Sequence, residues 1–264
     1  MNRNKTFTIF GTGVCACILA FAGNAAALEF DQNVTNNVIF GSGNANGSFT
    51  TDRNNGVEVG LRAKVRFSIP GDVPQNVFNS NGDGTYNQAA GAPAASPTRA
   101  RWNFEWSINT DFDGTGGGRK LDDLTYILGM DFDPTLGTDF ATFDPINFPF
   151  ADHSIGDNST AQGAGVEATT TAEYATLIAN NSLAQNSWQL NFFNVPFGKS
   201  FDPNLDATYD FYLAAFDGAV QIARTDISVI VGAGAAPIPE PSSLLLFGSG
   251  VAGFGIWRWR TARK

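Results

Sequence analysis

Residues 57–67 read Val57-Glu58-Val59-Gly60-Leu61-Arg62-Ala63-Lys64-Val65-Arg66-Phe67, and the string sorts itself by parity. Val57, Val59, Leu61, Ala63, Val65 and Phe67 are apolar, whereas Glu58, Arg62, Lys64 and Arg66 are charged. Successive side chains of a strand point to opposite faces. The alternation therefore predicts a strand with one buried and one wet face, as in an antiparallel sheet.

The same period recurs to either side. Trp102, Phe104, Trp106 and Ile108 alternate with Asn103, Glu105 and Ser107. Leu124, Tyr126, Leu128, Met130 and Phe132 follow, then Trp188, Leu190 and Phe192. Tyr209, Phe211, Leu213 and Ala215 come next, and Ile227, Val229 and Val231 close the series. Weaker candidates lie at 28–30, 38–40 and 48–51. Turn residues separate the runs: Asn54-Asn55-Gly56, Asn81-Gly82-Asp83-Gly84, 113–118, and Asp217-Gly218, which is the strongest hairpin signal. One helix is predicted over 171–180, with Thr170 and Glu173 as its capping box and Tyr174, Leu177 and Ile178 on one face. The Ala- and Pro-rich stretch 89–98 reads as an exposed loop. About eight short strands and almost no helix give an all-β fold: an antiparallel β-sandwich, jelly-roll-like or immunoglobulin-like, with one short helix.

Composition agrees. The chain has 264 residues, 43% of them hydrophobic, with 29 Gly and many Asn and Asp, a mixture suited to short strands and tight turns. Arg3, Lys5, Arg258, Arg260, Arg263 and Lys264 are six of the 16 basic residues. All 25 acidic residues lie between Lys5 and Arg258, so that stretch has a formal charge near −15. Such a body excludes nucleic acid and anionic membrane surfaces as partners, and it suits divalent cations.

The two ends have a different character. A basic start, an apolar uncharged stretch over 7–21, and Ala25-Ala26-Ala27 with small residues at −3 and −1 form a Sec-type signal peptide over 1–27, cleaved after Ala27. The expected first partner is the Sec export machinery. Both cysteines, Cys15 and Cys17, leave with that peptide, so the mature chain has no disulfide, thiol nucleophile or thiolate metal site. At the other end, Pro237-Ile238-Pro239-Glu240-Pro241 suits neither helix nor central strand. Residues 242–257 carry no charge and span roughly 24 Å as a helix, short for a hydrocarbon core of about 30 Å. Arg258, Arg260, Arg263 and Lys264 hold the tail in the cytoplasm by the positive-inside rule. The expected division is a signal peptide 1–27, an ectodomain 28–231, a linker 232–238 and a sorting signal 239–264 that contains the span 242–257.

Pro239, Glu240 and Pro241, the glycine-containing apolar stretch after them and the terminal basic cluster together resemble the PEP-CTERM sorting signal. The resemblance covers only the end of the chain. It implies recognition by an exosortase, a multi-pass membrane protein with a cysteine-protease-like site. It further implies transient holding in the inner membrane, a cut near the motif, and delivery to the cell surface or an extracellular matrix.

The middle offers little for catalysis. His153 is the one histidine, so a Ser-His-Asp site would have to use it and a His/Cys zinc site has too few ligands. Its flanks read as loop, which suits a hydrogen-bonded structural role. A hydrolase working through two carboxyl groups needs no histidine, but nothing marks a pair among the acids. Three runs place oxygen ligands at spacing two, as calcium requires: Asn79, Asn81 and Asp83; Asn109, Asp111 and Asp113; Asp202, Asn204 and Asp206. The first two have Gly84 and Gly114 at the sixth position but Ala90 and Lys120 where an EF-hand loop has its acid. The same residues also build ordinary β-turns. Trp102, Trp106 and Trp188 fit a sugar platform or the core, and their alternation with polar residues favours the core. The leading expectation is a structural or interaction protein of the envelope or exopolysaccharide matrix, and not an enzyme. A calcium- or glycan-binding module and a carboxylate-based glycan hydrolase are the alternatives.

Overall fold

Asn55 and Gly56 join two strands in a two-residue turn, and both adopt positive φ, 50° and 75°. That geometry matches the right-handed twist of the flanking strands, and Asn-Gly is the pair that takes it most readily. Gly56 has a second reason to lack a side chain: a Cβ there would meet the backbone N of Gly116 at 2.2 Å.

The computed structural model describes residues 27–34, 44–147 and 152–235. The strand expected at 38–40, residues 1–26 of the leader, and the span 242–257 with its flanks lie outside them.

Among the described residues, eleven strands form two sheets. The first runs β1 (Glu29–Gln32), β2 (Phe49–Asn54), β3 (Val57–Val65), β5 (Trp102–Asn109), β9 (Leu183–Trp188) and β8 (Ser154–Gly156). The second runs β4 (Thr85–Gln88), β11 (Val220–Val231), β10 (Ala207–Asp217), β6 (Thr125–Asp131) and β7 (Phe140–Phe143). Strands β10 and β11 of the second sheet pack over β2 and β3 of the first. The result is an all-β sandwich. It is not wholly antiparallel, because β4 pairs in parallel with β11. These strands are far apart in sequence, so no hairpin imposes the antiparallel sense on them.

The core is built by the alternating residues. Phe104 of the first sheet stacks on Phe211 of the second with centroids 4.7 Å apart, and Trp102 meets Phe211 edge-on at 6.1 Å. Val57, Val59, Leu61, Leu128, Met130, Leu213 and Val229 are buried around them. The helix α1 (Thr171–Asn180) is capped by Thr170, whose hydroxyl accepts from Glu173 N at 3.1 Å, and it buries Tyr174 and Ile178. Glu173 reaches back to the N–H of Thr169, one residue beyond the expected box. A single further turn, α2 (Asn194–Phe197), adds to the one helix expected. The alternation of Trp188, Leu190 and Phe192 does not continue as strand. β9 ends at Trp188 and the chain enters a 3-10 turn, Leu190–Phe193, where Phe192 N donates to Gln189 O.

Candidate functional site

The face of β3 expected to be wet is covered. Glu58 and Arg62 are fully buried and Lys64 nearly so; Arg53 pairs with Glu58, and the chain around 44–48 and 76–78 folds over Arg62 and Lys64. Arg62 sits directly opposite Glu105, and its Nε and Nη2 lie 2.7 and 2.6 Å from Glu105 Oε2. Its Nη1 donates to the carbonyls of Ala45 and Gly47, and its guanidinium lies between the rings of Phe49 and Phe78, 4.2 and 4.1 Å away. Arg53 repeats the arrangement, bonding Glu58 and Glu29 at 2.6 Å each. Buried charges survive only when paired and hydrogen-bonded, and these are.

Beside this layer a cleft of about 300 Å³ opens on the outer face of the first sheet. Lys64, Arg66 and Arg99 supply positive charge, and Asn44, Asn103, Ser187 and Gln189 supply amides and a hydroxyl. Lys64 donates to Asn44 Oδ1 and stands 4.0 Å from Glu105 Oε1. Burial pushes its ammonium pKa down, against the pull of the Glu105 carboxylate. Arg99 lies over the ring of Phe192 at 5.5 Å, and that ring is 45% exposed. Asn103 and Gln189 each keep a buried amide oxygen without a partner. Among the described residues Glu105 is the one carboxylate lining the cleft, and Arg62 holds it from behind. The wall is thus polar and cationic, with Arg66 and Arg99 alongside amide groups.

The sequence did not point to the cleft. Its residues come from separate segments, near 44, 64–66, 99–105 and 187–192, and no window of the chain contains enough of them to stand out.

His153 is fully buried just before β8, with Nε2 2.6 Å from Pro145 O and Nδ1 3.0 Å from the Asn186 amide. Its environment of Trp106, Tyr174 and Trp188 lowers its pKa to about 4, chiefly through burial. It is a neutral structural group. Trp102, Trp106 and Trp188 are buried as well and present no platform to a sugar.

The oxygen-rich turns are held by their own bonds. Asp83 Oδ1 accepts from the Thr85 N–H and hydroxyl, and Asp113 Oδ1 does the same with Thr115. Those hydroxyls and amides lower both carboxyl pKa values. Asn81 bonds Thr85 and Asn87, and the main chain of Asn79 pairs with Asn87. Asp202 Oδ1 accepts from the backbone and side-chain nitrogens of Asn204, while Asp206 lies against Gly232. Asn109 Oδ1 accepts from Asp111 N, and Asp111 keeps one buried carboxylate oxygen unpaired. Among the described residues no three His, Cys, Asp or Glu side chains gather as a metal cluster.

The comparison with protein families settles the C-terminus. Residues 237–264 match the PEP-CTERM protein-sorting motif. The chain carries a PEP-CTERM sorting domain. The motif marks an exported protein directed to the cell surface and sorted by an exosortase. The PEP-CTERM match begins at Pro237, two residues before the triplet. No curated protein matches the chain. Pro239, Glu240, Pro241, Arg258, Arg260, Arg263 and Lys264 lie outside the described residues, as does Ala25; Ala27 is within them and exposed. Among the described residues no helix is long and apolar enough to cross a membrane.

Proposed function

We propose that this is a non-enzymatic interaction protein of the bacterial envelope or exopolysaccharide matrix. It leaves the cytoplasm on the leader 1–27, pauses at the inner membrane on the span 242–257, and is released when an exosortase cuts near Pro241. The sandwich 28–231 then acts outside the cell. The observation that carries this reading is the sorting motif at 237–264 attached to a sandwich whose outer face opens a polar, cationic cleft. In the native host, replacing Pro239, Glu240 and Pro241 by alanine is expected to leave the protein in the inner membrane with its C-terminus intact. Mass spectrometry of cell-surface and membrane fractions reads the outcome. Surface delivery at the wild-type level would overturn the reading.

A second reading concerns calcium. The unpaired buried oxygen of Asp111, between Asn109 and Asp113, favours that turn over the ones at Asn79–Asp83 and Asp202–Asp206. Calorimetry of the full chain with calcium chloride is expected to show binding that Asp111→Asn weakens at least tenfold. No heat and no rise in Tm would refute it.

A further inference from the structure

Among the described residues cations are scarce, and seven of ten are paired with a carboxylate. The described residues carry ten basic against 24 acidic side chains. Arg53, Arg62, Lys64, Arg101, Arg119, Lys199 and Arg224 each lie within ion-pair distance of a carboxylate. Arg66, Arg99 and Lys120 pair with no carboxylate among the described residues. Two of those three, Arg66 and Arg99, open into the same cleft, beside Lys64, whose Glu105 contact is long at 4.0 Å. With more than two acids for every base, unpaired guanidinium groups gather there although partners abound elsewhere.

From this geometry we infer that the cleft binds a carboxylate-bearing polysaccharide, with Arg66 and Arg99 gripping a uronate carboxylate and Phe192 taking the sugar face. A guanidinium fork matches a carboxylate in two parallel hydrogen bonds, and an exposed ring next to it supplies an apolar surface for the C–H face of a pyranose. Asn44, Asn103, Ser187 and Gln189 make the rest of the wall polar, as a hydroxyl-rich ligand requires. The acidic body sets the charge density of the ligand. At physiological salt, interactions fade over about 8 Å, so the cleft governs contacts within it while the surrounding acids repel a densely charged chain. A polymer whose carboxylates are spaced by neutral hydroxyl-bearing sugars satisfies both. This site specifies the ligand class of the interaction role proposed above and rests on that role, but its test does not involve sorting.

The test is affinity electrophoresis and calorimetry of the full-length chain in neutral detergent, with polygalacturonate as the probe. Dextran serves as the uncharged control and poly-glutamate as the acidic-peptide control. Polygalacturonate alone is expected to bind, more weakly as salt rises. The variant Arg66→Gln with Arg99→Gln is expected to lose at least tenfold in affinity and Phe192→Ala at least threefold. Lys120→Gln, which removes an unpaired cation outside the cleft, is expected to bind as wild type. Circular dichroism and Tm confirm that each variant is folded. Failure of polygalacturonate to bind, equal binding of dextran or poly-glutamate, or full affinity in the double arginine variant overturns the inference. None of these outcomes bears on whether the Pro-Glu-Pro triplet directs sorting.

Discussion

His153 shows how one buried side chain sets a pH response. Its pKa falls from 6.5 to about 4 because burial disfavours the imidazolium, while Pro145 O and Asp152 pull weakly the other way. The unfolded chain therefore takes up a proton near pH 6.5 that the folded chain refuses until about pH 4. Stability is complete above that window and falls as pH drops through it, by roughly 3 kcal/mol at ~1.4 kcal/mol per unit. Asp52 and Asp131, whose carboxyl pKa values burial raises, contribute the opposite slope just above the ordinary carboxylate range. Comparison with a variant isolates the histidine: His153→Gln is expected to flatten the fall in urea midpoint between pH 6.5 and 4.5. A wild-type midpoint that stays level over that range would contradict this. The sequence supplied His153 as a loop histidine with hydrogen bonds. Its complete burial depends on Trp106, Tyr174 and Trp188 arriving from three other elements, which local pattern does not encode.

At the level of elements, parity was a sound guide to the inward face and a poor one to the outward face. Val57, Val59, Leu61 and Ala63 all lie in the core as expected. Glu58, Arg62 and Lys64 were expected in water because charge usually means exposure, yet Glu58 pairs with Arg53 across the β2–β3 hairpin, and Arg62 and Lys64 have partners brought by distant segments. A hint was present: Arg62 and Glu105 have opposite charge, and each sits mid-way along a strong strand pattern. β6 and β10 show a second cross-strand device. Tyr212 stands opposite Gly129, and a Cβ on Gly129 would fall 2.1 Å from the Tyr212 ring, which therefore lies across the glycine. Phe140 meets that ring edge-on at 5.2 Å and Arg224 lies over it at 4.3 Å. Gly129→Ala is expected to cost about 1–3 kcal/mol by displacing the ring. In a Tyr212→Ala background the same change is expected to cost much less, and denaturant unfolding of the four proteins measures the difference. Strict additivity would show that the ring is not what the alanine meets.

Across the whole molecule, the sandwich owes one closed corner to bonds between sheets. Among the described residues no strand lies beside the edge of β11 near Arg224; β2 serves it with side chains and carbonyls instead. Asp52 Oδ2 accepts from Arg224 N at 2.7 Å, Thr225 donates to Thr50 O at 2.8 Å, and the Tyr86 hydroxyl donates to Ser48 O at 2.7 Å. Such bonds blunt an edge that would otherwise recruit another strand. None of them was legible, since strand order is fixed by contacts between residues as far apart as Asp52 and Arg224. The sorting signal was legible for the opposite reason: it is a linear string over 237–264 and needs no partner from elsewhere in the chain.

If the span 242–257 holds the chain in the membrane as proposed, the end of the sandwich limits how far the body stands from the bilayer. Backbone bonds continue past β11 through Gly232 and Gly234 to Ala235, whose N–H donates to the Thr208 hydroxyl at 3.2 Å. Only five residues separate Ala235 from Pro241, and the six steps between them make a leash of about 20 Å at full stretch. On the proposed route, a sandwich waiting to be cut would rest close to the lipid headgroups, and the cutting enzyme would have to work in a gap no wider than about four strand spacings.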